Sequence, residues 1–248
     1  MGQVLLYSAI MGFSLFAGSA LVMFFNFPQR TIAKLMAFGA GALLCAMTYG
    51  LMEDAFLYGG LDMAILGFLI GGLTFIMADY LIHSAGSRRH KRKQYLFPDP
   101  KDYDKKISGR LIALGGMLDN FPEAMALGIA LYNDQITGLM LLVAITLSNF
   151  PEGLSATAGM LREKISKGKI LYLWFATAIM IIAVALLSYV FLRDINPDFI
   201  GFWHAFAAGA ILAMLANTVM PEAYEEGDYT IGLVTVLGFL IAFVLARI

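Results

Sequence analysis

Charged residues make up only 14% of this 248-residue chain, and it has one cysteine, three histidines and two tryptophans. A soluble domain carries nearer a quarter of its residues as charges, so this chain is not built to keep its surface in water. The net charge is −1, which gives no general electrostatic case for binding nucleic acid or an anionic surface. The lone Cys45 has no partner for an intramolecular disulfide and reads as a small apolar packing residue. No Lys or Arg precedes the first apolar run, which is also too long for the core of a cleavable signal, so the chain is expected to begin in the membrane.

What fills the chain instead is apolar: 60% of residues are hydrophobic and the mean hydropathy is +0.76. A helix needs about 20 apolar residues to cross a bilayer. Eight runs have that length, at about 4–26, 32–52, 61–84, 108–131, 136–160, 169–192, 201–220 and 229–246. The reading is an all-α integral membrane protein, one transmembrane domain over residues 1–248, with the lipid bilayer as its surroundings. Of the 17 basic residues, 15 fall between, or at the facing ends of, runs one and two, three and four, or five and six, leaving Arg193 and Arg247 on the other side. Positive charge stays cytoplasmic, so both termini should face outside and the polar segment 85–107, with Pro98 and Pro100, should be a cytoplasmic loop. The basic run Arg88 to Lys93 reads as a determinant of that topology.

The chain also repeats itself. Phe38-Gly39-Ala40-Gly41-Ala42-Leu43-Leu44 in the second run resembles Phe206-Ala207-Ala208-Gly209-Ala210-Ile211-Leu212 in the seventh, and the same ungapped register matches Met52 with Met220, Asp54 with Glu222 and Ala55 with Ala223. These runs should point in opposite directions, which predicts an inverted repeat of helices one to three and six to eight around a central pair.

That central pair carries a second repetition, Asp119-Asn120-Phe121-Pro122-Glu123 and Ser148-Asn149-Phe150-Pro151-Glu152. An ionised carboxylate in hydrocarbon is unfavourable by several kcal/mol on most scales, and intramembrane acids mark ion or proton paths. Asp119 and Glu123 are four apart and share a helix face, with Asn120 beside them. Pro122 and Pro151 cannot donate to the carbonyls of Leu118 and Leu147, so each helix is expected to kink and release a carbonyl there. A polar cluster that merely holds two helices together would leave the carboxylates without positive charge, since neither helix core offers Lys or Arg. A divalent cation would supply it.

At these residues the chain resembles the ZIP (zinc- and iron-regulated-transporter-like) family of metal-ion transporters. That family's fourth and fifth helices carry His-Asn-x-Pro-Glu-Gly motifs, whose places are taken here by Asp119 to Ala124 and Ser148 to Gly153; Pro221-Glu222-Ala223 ends the seventh run as in the family. The resemblance implies a 3+2+3 helix arrangement in a cell (inner) membrane and often a homodimer. It implies transport of a zinc-, iron- or manganese-class cation toward the cytoplasm, with no organic cofactor, no nucleic acid and no enzymatic activity. The implied metal ligands are Asp119, Asn120, Glu123, Ser148, Asn149 and Glu152. Asp119 and Ser148 stand where the family has His, and oxygen ligands favour harder ions such as manganese. Leu171 to Leu192, where some relatives hold a second metal, contains no Asp, Glu or His.

Further residues are candidates for lining a path: Glu53 and Asp54 at the outer end of the second run, Glu222 after the seventh, and the Asp79/His83 pair in the third. His204, next to Trp203, reads as an interfacial anchor, and His90 as solvated in the loop. Two other functions fit parts of the pattern. An intramembrane metal-dependent hydrolase would need a nucleophile or a histidine-rich set that the helix cores do not offer. A non-transporting metal sensor would need a regulatory domain that is not visible.

Overall fold

The computed structural model describes residues 1–85, 109–133, 135–192 and 196–247. Among these the only regular structure is helical: α1 (Gly2–Phe24), α2 (Gln29–Ala46), a π-helical turn (Met47–Met52), α3 (Glu53–Ala85), α4 (Gly109–Asn133), α5 (Gln135–Arg162), α6 (Lys167–Phe191), α7 (Pro197–Met214), a second π turn (Leu215–Val219), α8 (Met220–Glu226) and α9 (Ile231–Leu245). Five described helices are long and apolar enough to cross a membrane: α1, α2 running on into α3, α5, α6, and α7 running on into α8. α4 is not among them, because Asp119, Asn120, Pro122 and Glu123 interrupt its apolar run, and α9 is apolar but shorter. The expected loop 85–107, with His90, lies outside the described residues except for Ala85 at the end of α3.

Two boundaries differ from the sequence reading. Residues 53–60, expected as a connection, continue the helix beyond the first π turn, and the break comes at Gly60, whose φ of 65° suits a residue without a Cβ. The seventh run starts earlier than expected: the Asn196 side chain accepts from the Asp198 N–H at 3.3 Å, and Pro197 follows in the first helical turn.

The internal repeat reaches the backbone. In the register that aligns Phe38 with Phe206, the π turns at Met47–Met52 and Leu215–Val219 coincide, and each leads into a short helical stretch carrying Asp54 or Glu222. The helix crossings match as well. A Cβ at Gly41 would overlap the Thr235 carbonyl and one at Gly238 the Phe38 carbonyl, so α2 crosses α9 backbone to backbone. Gly209 and Phe206, which take the places of Gly41 and Phe38 in that register, meet the Phe68 carbonyl and Gly71, joining α7 to α3; the α3 and α9 partners correspond one residue out of that register. In lipid, where the surrounding tails remove the usual hydrophobic drive, such close contact is what holds helices together. Each half therefore lends a helix to the other.

α1 clamps the motif-bearing α5 in the same manner, with Gly18 against the Phe150 carbonyl and Gly153 against that of Leu15. Ionic contacts fasten one end of the bundle. Lys167 donates to the Met23 carbonyl at 2.9 Å and lies over the Phe24 ring, and Lys34 meets Asp228 at 3.2 Å. Hydrogen bonds from the Thr230 hydroxyl and N–H, with Lys34 adding to them, hold the Asp228 carboxyl down at about 2.

Candidate functional site

α4 and α5 pass each other at the middle of the molecule, and both continue as helices through Pro122 and Pro151. The expected kinks are absent as breaks, but the released Leu147 carbonyl has a visible neighbour. Gly39 of α2 lies so close that a Cβ there would stand 2.8 Å from that oxygen and 2.6 Å from the Ser148 Cα. The backbone that proline strips of a donor is thus sealed by another helix's backbone.

All six central residues from the two motifs are buried: Asp119, Asn120, Glu123, Ser148, Asn149 and Glu152. Their hydrogen bonds run in one direction. Asn149 Nδ2 donates to Asn120 Oδ1 at 2.9 Å, and Asn120 Nδ2 donates to the Gly116 carbonyl at 2.8 Å and to Glu152 Oε1 at 3.2 Å. Asn149 also lies beside the Glu123 carboxylate, yet among the described residues neither Glu123 oxygen is held in a hydrogen bond of regular geometry, nor are Glu152 Oε2 and Asn149 Oδ1. Four buried oxygen acceptors are left over. Buried polar atoms without partners are rare in folded proteins, and a cluster of acceptors calls for a donor or a cation.

The neighbouring charges do not supply one. Asp119 lies within electrostatic reach of Glu123, and Glu152 within reach of Asp119, Glu123 and Glu222, all of them acids. No three His, Cys, Asp or Glu side chains among the described residues converge tightly enough to enclose a metal ion by themselves. The acids are spread along the helix interface and linked through the two carboxamides. Ser148 is buried next to Gly39, with no hydrogen bond tying it to the other five.

α6 supplies a wall rather than a ligand. Trp174 is fully buried, and a Cβ at Gly116 would lie 3.3 Å from its ring and 3.7 Å from Glu152 Oε1. Its indole N–H donates to Thr157 at 2.8 Å, and the Thr157 hydroxyl donates to Ser19 at 2.9 Å, so α5, α6 and α1 fix the ring in place.

The path candidates separate. Glu222 joins the centre: it is half-buried, accepts from the Ser155 hydroxyl of α5 and acts on Glu152. Ser155 was not singled out in the sequence, although three residues after Glu152 is the spacing that shares a helix face. Glu53, Asp54 and Asp79 are not among the groups acting on Glu123 or Glu152; Glu53 is exposed and Asp79 half-buried on α3. His83 belongs to α3, but its side chain lies outside the described residues. His204 is not the expected interfacial anchor. It is fully buried, with Nδ1 3.0 Å from the Ile200 carbonyl and Nε2 3.6 Å from Asp54. Its place is explained by the cap at Asn196 and Pro197, which sets residue 204 nearly two turns inside α7.

A family model described as ZIP zinc transporter matches residues 99–246. A search of curated proteins finds no match to the chain.

Proposed function

The chain belongs to the ZIP zinc transporter family, and from that premise we propose that its substrate is a divalent metal ion, passed toward the cytoplasm between α4 and α5. Members of this family are membrane transporters, not enzymes. The observation that carries the reading is the set of four unengaged buried acceptors, both Glu123 oxygens, Glu152 Oε2 and Asn149 Oδ1, in a neighbourhood whose charges are all negative. A dication satisfies the acceptors and neutralises the acids together. Asp119, Asn120 and Ser148 complete the proposed ligand set, and Glu222 with Ser155 takes the ion on its inner side.

The side chains are spread too far to enclose an ion unaided, which suits a carrier that must release its cargo. Carboxylate, carboxamide and water oxygens form a harder site than imidazole, so manganese should compete with zinc better than in a histidine-bearing relative. The proposed architecture is a single domain of eight crossings in a 3+2+3 inverted repeat. The coincident π turns and the reciprocal glycine crossings support it. An orientation with both termini outside is supported by Lys34 and Lys167, which share the end of the bundle where α1 finishes and α2 begins.

Purified protein in liposomes tests the reading. Zinc and manganese uptake should saturate and should vanish in Glu123→Gln/Glu152→Gln. No uptake by the wild type, or undiminished uptake by the double variant, would overturn it.

A further inference from the structure

The two oxygens of Glu152 have different surroundings. Oε1 accepts from Asn120 Nδ2 at 3.2 Å, whereas Oε2 is buried and has no hydrogen bond among the described residues. An ion drawn to the unengaged acceptors therefore meets Glu152 at Oε2. To hold a second ion as well, the carboxylate would have to bridge, binding it through Oε1 at about 2.0–2.2 Å and about 3.5–4 Å from the first.

The Oε1 side is closed to such an ion. An amide hydrogen already points at Oε1, and the second hydrogen of Asn120 Nδ2 is spent on the Gly116 carbonyl at 2.8 Å, so the amide cannot turn its oxygen there without losing both bonds. Trp174 takes the adjoining space. The point where a Cβ on Gly116 would stand is 3.7 Å from Oε1 and 3.3 and 3.5 Å from the ring carbons Cη2 and Cζ3. These are rim carbons, and the rim of an aromatic ring carries partial positive charge, so the ring presents to this gap the edge that repels a cation. It is also held against moving aside. Trp174, Thr157 and Ser19 are all fully buried, the indole N–H donates to Thr157 at 2.8 Å, and Thr157 donates to Ser19 at 2.9 Å. A displaced ring would leave its N–H buried without an acceptor.

We propose that Trp174 makes the central site a single-ion site, by filling the place on the Oε1 side of Glu152 that a second, carboxylate-bridged ion would need. The inference deepens the transport reading and rests on it. Each transport cycle then carries one ion, which leaves without being displaced by another bound beside it, and uptake follows a simple hyperbola in metal concentration.

The test uses the full chain in lipid nanodiscs with manganese(II) as the probe, counted by equilibrium dialysis and examined by electron paramagnetic resonance. The central ions are those lost in Glu123→Gln/Glu152→Gln. The wild type should hold one there, with the spectrum of an isolated ion, and so should Trp174→Phe, which keeps most of the ring. Trp174→Glu puts a ligand in the indole's place and should hold two, with the broadened spectrum of a spin-coupled pair; Trp174→His should do the same if the glutamate variant does not fold. Two coupled ions in the wild type would overturn the proposal without any variant, and so would a single ion in the folded ligand-bearing variant. A wild type that neither binds manganese at these acids nor takes up metal in liposomes would overturn the transport reading itself, whereas uptake with two bound ions would overturn this inference alone.

Discussion

α4 and α5 carry the same Asn-Phe-Pro-Glu tetrapeptide, yet the two copies are put to different uses. On α4, Asn120 is fully engaged: it receives Asn149 and gives to Gly116 and Glu152. Its neighbour Glu123 has both oxygens unengaged among the described residues. On α5 the pattern is inverted, since Asn149 retains an unengaged oxygen while Glu152 has one of its oxygens tied to Asn120. The phenylalanines differ too: Phe121 is 46% exposed, whereas Phe150 packs against the core, with its carbonyl against Gly18. A duplicated motif has thus become an asymmetric site in which one copy supplies the clip and the other is clipped. A symmetric site would bind the ion with equal partners; this one has, among the described residues, a carboxylate on α4 with Asn149 beside it but no regular hydrogen bond, and one on α5 held by Asn120.

The largest effect should come from breaking that inequality at the carboxylates. Glu123→Gln removes the charge whose oxygens are not tied in a regular hydrogen bond among the described residues, and initial zinc uptake into liposomes should fall by about 100-fold or more. Glu152→Gln alters an acid already held by Asn120 and should lose only about tenfold, a difference of roughly 1.4 kcal/mol. Equal losses would show that the clip does not distinguish the two acids.

Removing the clip itself comes next. Asn120→Ala leaves the Asn149 amide and Glu152 Oε1 without their partner and should destabilise the protein by about 1–3 kcal/mol, read as a lowered melting temperature in nanodiscs. Asn149→Ala removes one of these bonds and should cost about 1 kcal/mol. A reversed order would make α5, not α4, the helix that organises the site.

The residues preceding each Asn make a finer comparison. Asp119→His exchanges an oxygen ligand for a nitrogen one and should shift the zinc-to-manganese uptake ratio toward zinc by about tenfold, equivalent to roughly 1.4 kcal/mol. An unchanged ratio in an active variant would take Asp119 out of the ligand set. Ser148 makes no hydrogen bond to the other central residues, and Ser148→Ala should change uptake by no more than about twofold, or roughly 0.4 kcal/mol. A large loss would bring its hydroxyl into the coordination shell.

The helical, membrane-embedded class and the acidic motifs were legible because both are local. Hydropathy needs only a window, and the Asp119/Glu123 spacing needs only the helical period. The repeat was legible for the same reason, since two segments can be compared without being folded. What escaped depends on distant groups meeting. No residue pattern marks a π turn within an apolar run, because Met47 to Met52 reads as ordinary helix. Glu222 was a path candidate by position alone, and nothing in the sequence paired it with Ser155. His204 was misjudged for a different reason: Asn196-Pro197 is a helix-start signal that hydropathy overlooks, and reading it would have moved the histidine inward.

The reciprocal crossings bear on how the chain is made. α2 emerges early from the ribosome, but Gly41 and Phe38 find their partners only in α9, near the opposite end of the described chain. Until then the small-residue face of α2 has only lipid against it, and a helix with such a face is a ready docking surface for stray neighbours. Pairings so distant in sequence are slow to close, and the α2 face at Gly41 must wait for α9. A polypeptide cut before α9 should accordingly insert its early helices, fail to assemble them, and be recognised as unfinished by the membrane's quality-control proteases.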